Sequence, residues 1–218
     1  VIGAGGLGSA AAPYLAAAGV GHITLVDHDE VELTNLQRQI MHTENSVGKS
    51  KVASGKAFLE RLNSTIQIQT IQAKATVSLL DELLPSVEIV LDCTDNFSTR
   101  HLINAACVKH QTPLISGSAL KFDGQVNVFD PRNLSSPCYA CIFSPDEQFE
   151  EVSCSSMGIF SPLVGIIGAM QAAQALQVLI GFGEPLVGRM LLWNGRTTQI
   201  DEIRISRNSE CLVCGTAH

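Results

Sequence analysis

The sequence predicts an α/β fold: a Rossmann-like, mostly parallel sheet with flanking helices, continued by antiparallel strands and closed by a cysteine-bearing tail. Three observations carry this. Strand-like and helix-like segments alternate from residue 1 to about 119, a glycine-rich turn opens the first helix, and beyond residue 120 the rhythm changes to strands linked by short turns. The chain has 218 residues, 45% hydrophobic and 16% charged, which suffices for a full core and excludes intrinsic disorder. A single domain over 1–218 is expected, its pattern dividing into 1–119 and 120–218.

Taken in order, Val1-Ile2-Gly3 reads as the stub of a strand, as if whatever preceded it had been trimmed off. Residues 23–27 (ITLVD) form the clearest early strand. A helix is expected over 49–62, an alternating strand over 66–71, a short helix capped by Thr76 and running to Leu84, and a buried strand over 87–93. Residues 96–110 read as the next helix, Pro113 breaks the connection after it, and 114–118 read as another buried strand. Residues 124–130 alternate as a strand. The stretch 131–158 has no sustained period and holds Pro, Ser, acids and three cysteines, so a long functional loop is expected there. Residues 163–181 are nineteen in a row without a charge, which meets the length test for a membrane span. Gln171, Gln174 and Gln177 argue otherwise: at every third residue they predict a polar edge on a helix buried in a soluble core or at a dimer contact. Residues 189–193 and 198–205 read as a hairpin turning across Asn194-Gly195.

Lys and Arg number 14 against 21 Asp and Glu, a formal net charge of -7. That balance argues against a general nucleic-acid binder, which needs a basic excess, so any anion site must be local. Seven cysteines is an odd number in a chain too large to need disulfide staples, which predicts a reduced, cytoplasmic setting. No membrane association is expected.

Gly3-Ala4-Gly5-Gly6-Leu7-Gly8 follows a strand stub and opens a helix, and Asp27 ends the next strand nineteen residues after Gly8. This is a dinucleotide fingerprint: Gly3, Gly5, Gly6 and Gly8 let the backbone approach phosphate, and the Asp27 carboxylate accepts from ribose hydroxyls. The plain alternative is a tight turn beside a solvated acid, and the fingerprint alone would suggest NAD or FAD. Downstream, Asn35-Leu36-Gln37-Arg38-Gln39 and Gly48-Lys49-Ser50-Lys51 supply amides and cations that a dinucleotide does not need. A nucleoside triphosphate does need them: when a carboxylate attacks the α-phosphorus, Arg38 and Lys51 can neutralise the departing pyrophosphate. Asp92-Cys93-Thr94-Asp95-Asn96 ends a buried strand at the mouth of the sheet, where Asp95 is suited to Mg²⁺ and Asp92 to capping the turn.

GAGGLG, VDHDEVELTNLQRQ, GKSK and DCTDN, in this order and spacing, resemble the ThiF/MoeB/HesA adenylyltransferases, bacterial relatives of the ubiquitin-activating enzymes. The resemblance covers essentially the whole chain and leans slightly toward ThiF. It implies a fold that binds ATP and Mg²⁺ and adenylates the C-terminal glycine carboxylate of a ubiquitin-like sulfur carrier, in thiamine or molybdopterin biosynthesis. It also implies a homodimer, and nucleotide and catalytic roles for Gly6, Asp27, Asn35, Arg38, Lys51, Asp95 and Asn96. In the family a segment upstream of the glycine turn supplies an arginine to the partner subunit's site, and this sequence begins after it.

Cys138-Tyr139-Ala140-Cys141 and Cys211-Leu212-Val213-Cys214 form two CxxC pairs, each able to offer two thiolates from a tight turn. Their separation is not that of a zinc ribbon, so spacing alone leaves a metal site, a redox pair and two unrelated turns open. The resemblance implies a structural Cys₄ zinc. Cys154 belongs to neither pair; in ThiF-like members a cysteine at this place is proposed to join the carrier through an acyl persulfide, whereas a lone loop cysteine is chemically idle in the plain reading. Cys93 and Cys107 read as core, and His28 and His42 as surface residues near the nucleotide. Two rivals remain at this level: a nicotinamide-dependent oxidoreductase, and a zinc-stabilised adaptor that binds a carrier without activating it.

Overall fold

The computed structural model describes residues 1–146 and 158–215. Ile2 bridges Val26 on one side and Asp92 on the other, both in parallel, so the short stub joins two groups of strands into one layer. On its first side lie β1 (His22–Val26) and β2 (Gln67–Ile71), paired in parallel. On its second side run β3 (Val90–Asp92) and β4 (Leu114–Leu120), also parallel, followed by β5 (Asp123–Phe129), β6 (Arg189–Asn194) and β7 (Gln199–Arg204) in antiparallel order. The parallel half and the antiparallel continuation therefore meet at β4.

Helices cover both faces, and the starts of three of them are set by side-chain caps. Ser50 accepts a hydrogen bond from Ala53 N at 3.1 Å to open α2 (Lys51–Leu62), Thr76 does so from Leu79 N at 3.3 Å for α3 (Val77–Leu83), and Asn96 from Thr99 N at 2.9 Å for α4 (Phe97–Lys109). α1 (Gly6–Ala17) and α5 (Ser161–Ile180) pack on one face, closely enough that a Cβ on Gly168 would lie 2.4 Å from Leu7 O. Against the sheet the fit is as tight: a Cβ on Gly124 would lie 2.5 Å from Ile167. On the opposite face α3 and α4 bury Leu80, Ile103 and Leu114 around Phe129 and Tyr139.

Four expectations are corrected here. The strand expected over 87–93 pairs only at Val90–Asp92, because Val87 N still closes the preceding 3₁₀ turn on Leu84 O at 3.1 Å. The hairpin does not turn on Asn194-Gly195: Asn194 pairs with Gln199, and its Oδ1 accepts from Arg196 N and Thr197 N at 2.9 and 3.2 Å, organising a four-residue loop over 195–198. Strand β4 runs on to Leu120 because β5 pairs with it along its whole length.

The glutamines of α5 are the fourth. This helix is long and apolar enough to cross a membrane, the only such one among the described residues, yet its expected polar edge points inward. Gln171 is fully buried; its Nε2 donates to Asp92 O at 2.7 Å, at the end of β3, and to Ile115 O at 3.2 Å, near the start of β4. Gln174 Oε1 accepts from Leu186 N at 2.8 Å, and Gln174 Nε2 donates to Gln177 Oε1 at 2.9 Å. The row is a polar seam that ties the helix to the sheet and to the segment leading into β6. Gln171→Leu, which fills similar space without donating, leaves two buried carbonyls without this donor. It should lower unfolding free energy by about 1–3 kcal/mol, read from the urea midpoint; an unchanged midpoint would contradict this role.

Candidate nucleotide site and cysteine cluster

The glycine turn sits beside the ends of β1 and β3, which Ile2 bridges. Gly3 has φ +96°, and a Cβ there would stand 2.6 Å from Cys93 O; one on Gly8 would stand 2.0 Å from Gly3 O. Only glycine fits either position. The peptide between them is clamped on both sides. Ala4 N donates to Asp27 Oδ2 at 2.7 Å, while His42 Nε2 lies 2.9 Å from Ala4 O. A carbonyl can only accept, so Nε2 carries the hydrogen, and Nδ1 of the neutral ring accepts from Ser54 Oγ at 2.9 Å. His42 is therefore a buried support behind the turn rather than the surface residue expected. His28 is exposed, 3.2 Å from Asp29.

In front of the turn opens a cleft of about 910 Å³. It brings together Gly3, Gly5, Gly6, Asp27, Asn35, Arg38, Lys51, Asp95 and Asn96, which come from five separate segments of the chain. Gly8 is not among the lining residues; it belongs to the packing beneath. Asp27 uses one oxygen on Ala4 and the other on Asp29 N at 2.8 Å, so its carboxylate is fixed with lone pairs to spare. Lys51 is buried and holds Asp29 at 2.8 Å. Burial of Asp29 alone would raise its pKa; the hydrogen bond and charge of Lys51 outweigh it and hold the carboxyl below its usual range. Asn96 spends its Oδ1 on capping α4, and Asn35 Oδ1 accepts from Glu32 N at 3.4 Å.

Asp92 caps the turn that presents Asp95. Its Oδ1 accepts from Thr94 N at 3.0 Å and Thr94 Oγ1 at 2.7 Å, while Asp95 itself stands exposed at the cleft mouth. Burial pushes the Asp92 carboxyl up, and Arg100 is the main group opposing that shift. Asp29, Gln39 and Arg100 line the cleft and were not singled out from sequence. Gln39 stands in the same NLQRQ run as Arg38, and its buried Oε1 has no partner among the described residues. Arg100 follows Asp95 by five residues, which brings it one turn into α4 and back toward the turn.

At the far end of α4 the four cysteines of the two CxxC pairs converge. Their ligand atoms all lie within 4.8 Å of one another, with Cys141 3.4 Å from Cys214, Cys138 3.7 Å from Cys211 and Cys141 3.9 Å from Cys138. Four sulfurs about 2.3 Å from one Zn²⁺ would be separated by about 3.8 Å, so the cage has the size of a tetrahedral thiolate site. Backbone N–H groups of Cys138 and Asn208 each point at Cys141 Sγ at 3.4 Å, and Asn104 Nδ2 points at Cys138 Sγ at 3.6 Å. Sharing a hydrogen with Cys138 and receiving both N–H groups, the Cys141 thiol is pulled down, while Cys138 is pushed up. Cys93 and Cys107 are core residues as expected, burial driving the Cys93 thiol up to about 12. Cys154 lies outside the described residues.

The class to which this fold belongs is the nucleotide-binding α/β domain with an antiparallel extension. The ThiF family profile matches residues 1–213, and the chain belongs to that family. It is 41% identical over 217 residues to the molybdopterin-synthase adenylyltransferase of Escherichia coli strain K12, covering 99% of this chain and 86% of that protein. It is 42% identical over 216 residues to the adenylyltransferase and sulfurtransferase MOCS3 of Culex quinquefasciatus, covering 98% of this chain but 49% of that protein. The chain thus spans about half the length of the MOCS3 relatives it matches. Among solved structures, E. coli MccB with ATP superposes at a TM-score of 0.85 with 26% identity, covering 98% of this chain and 65% of that one.

The buried neutral His42 carries a pH signature. Burial, ahead of the opposing hydrogen bond to Ala4 O, holds its pKa below the ordinary value of 6.5. Between the two values the unfolded chain binds more protons than the folded one, so stability falls as pH drops below about 6.5. The melting temperature should fall between about pH 7.5 and about pH 5.5, and His42→Gln should flatten that fall; an equally steep fall in the variant would reject the assignment.

Proposed function

We propose that this chain is an ATP-dependent adenylyltransferase whose acceptor is the C-terminal glycine carboxylate of a ubiquitin-like sulfur carrier of the molybdopterin-synthase type. The observation that carries the reading is the cleft that unites the glycine turn and Asp27 with Arg38, Lys51 and Asp95. The first group suits an adenosine and its phosphates, the second a pyrophosphate leaving group. A nicotinamide oxidoreductase would use the first and leave the second without a task. The relatives named as molybdopterin-synthase adenylyltransferases and as MOCS3 support the acceptor class over the thiamine route.

On this reading residues 1–119 hold the nucleotide, and 120–218 present the carrier site and the cysteine cluster. Gly3, Gly5 and Gly6 bring backbone against the triphosphate, and Asp27 accepts from the ribose. The carrier carboxylate is already ionised and needs no general base. It attacks the α-phosphorus and pyrophosphate leaves toward Arg38 and Lys51, whose charge counters what accumulates on its oxygens. Lys51, held by Asp29, meets the leaving group already oriented. Asp95 is the residue that would hold Mg²⁺, which when bound offsets charge on the phosphates. Asn35 and Asn96 brace the two loops. The four cysteines fit Zn²⁺ with no open position, so that metal would serve structure. Cys154 is assigned to a later sulfur-transfer step, since a thiol contributes nothing to adenylation. We also assign a homodimer, supported by exposed apolar side chains such as Ile180 and Phe182 at the end of α5.

Exchange of labelled pyrophosphate into ATP tests this reading. Asp95→Asn should abolish exchange without unfolding the chain, and Arg38→Ala and Lys51→Ala should each slow it by about ten- to a thousand-fold. Near-normal exchange by Asp95→Asn would reject the assignment, and an effect of Arg38→Ala on ATP affinity alone would move that residue to ground-state binding.

A further inference from the structure

One face of α4 holds both the turn that carries Asp95 and the knuckle that carries two of the four cysteines. Arg100 and Asn104 are four residues apart and so lie on the same side of the helix. Arg100 Nη2 donates to Thr94 O at 2.8 Å, immediately before Asp95. Asn104 Oδ1 accepts from Tyr139 N at 2.8 Å, while its Nδ2 points at Cys138 Sγ at 3.6 Å. Tyr139, inside the first CxxC pair, leans back along the same helix, its ring 5.2 Å edge-on from His101. Burial pushes its phenol up, and Arg100 is the cation that opposes this. Arg100 Nε and Tyr139 Oη are both buried and without a hydrogen-bond partner among the described residues. Beneath them Asp92 and Ser116 sit opposite each other on β3 and β4, with Ser116 Oγ 3.4 Å from Asp92 Oδ2. Asn127 continues that row on β5.

We propose that Arg100 is a positioning residue which, with Asn104 and Tyr139, couples the cysteine cluster to the Asp95 turn, so that metal at one end and nucleotide at the other bind cooperatively. Arg100 holds Thr94 O and Asp92 holds Thr94 N, and between them the peptide ahead of Asp95 is tied to this face of α4. Arg100 is also the main group that opposes the upward push of burial on the Asp92 carboxyl, so one side chain bears on both neighbours of Cys93. A nucleotide with its magnesium orders Asp95 and through it this helix face; a metal in the cysteine cage orders Cys138 and Tyr139 at the other end of the same face. Each ligand finds part of the ordering already done by the other, which is a coupling free energy and must be reciprocal. The proposal rests on the adenylyltransferase reading for the nucleotide site.

The test uses the full chain, Zn²⁺, a chromogenic chelator as competitor, and a non-hydrolysable ATP analogue with Mg²⁺. Analogue binding is measured first. The unsubstituted chain should take one zinc, and saturating analogue should tighten it by about five-fold or more. Arg100→Lys keeps a charge beside Asp92 but cannot reproduce the guanidinium fork; it should bind zinc as well as the parent without nucleotide, with the tightening reduced to about one-fold. No tightening in the parent, or equal tightening in Arg100→Lys, overturns the proposal. A parent that binds no analogue overturns the nucleotide reading as well, whereas one that binds it without shifting zinc overturns the coupling alone. Should Arg100→Lys fail to fold, Asn104→Ser, which removes the acceptor of Tyr139 N and the donor to Cys138 Sγ, should at least halve the tightening; an undiminished factor there overturns the proposal equally.

Discussion

At the centre of the sheet there is no room for a Cβ, and most of the architecture follows from that. Gly3 passes under Cys93 O and Gly8 under Gly3 O, so α1 begins within backbone contact of the strand stub. Gly168 brings α5 equally close to α1, and Gly117 accommodates the buried amide of Gln171. Bringing the helices this near places Gly6 and Leu7, the first residues of α1, on the wall of the cleft. A bulkier residue at any of these points would lift a helix off the sheet and widen the floor on which phosphate is expected to rest.

Close approach of backbone in a dry interior requires that every polar atom there be answered. The answers come from side chains that a pattern of apolar and polar residues treats as surface. Gln171 meets carbonyls of β3 and β4, His42 and Asp27 hold Ala4 by its O and its N, and Arg100 meets Thr94 O and opposes the effect of burial on Asp92. These groups surround the cleft without filling it. Two of the acids and cations of the cleft are held in turn, Asp27 by Ala4 N and Asp29 N and Lys51 by the Asp29 carboxylate.

What could be read from the sequence divides along the same line. Local chemistry was legible: the cap at Thr76, the glycine turn, the buried strand through Val90–Asp92, and the core positions of Cys93 and Cys107 all depend on neighbours in the chain. The two CxxC pairs were legible as thiolate donors, but their meeting depends on a tail returning across 69 intervening residues. Gln171, His42 and Arg100 were misread or passed over because their partners lie on other elements, and a polar residue at a helical spacing looks the same whether it faces water or a carbonyl. Asn194-Gly195 misled for a related reason: the Asn194 side chain caps two backbone N–H groups, and the loop it caps is longer than the dipeptide suggests.

The central claim is that the cleft activates a carboxylate by transferring an adenylyl group to it. The most direct measurement offers the chain ATP, Mg²⁺ and a purified molybdopterin-synthase-type carrier, and weighs the intact carrier by mass spectrometry under conditions that preserve acyl phosphates. An adenylyl-transferring cleft should add one adenylyl group to the carrier's terminal glycine, a gain lost when that glycine is removed. A carrier that binds the chain and gains no mass, with ATP bound in the cleft, would contradict it.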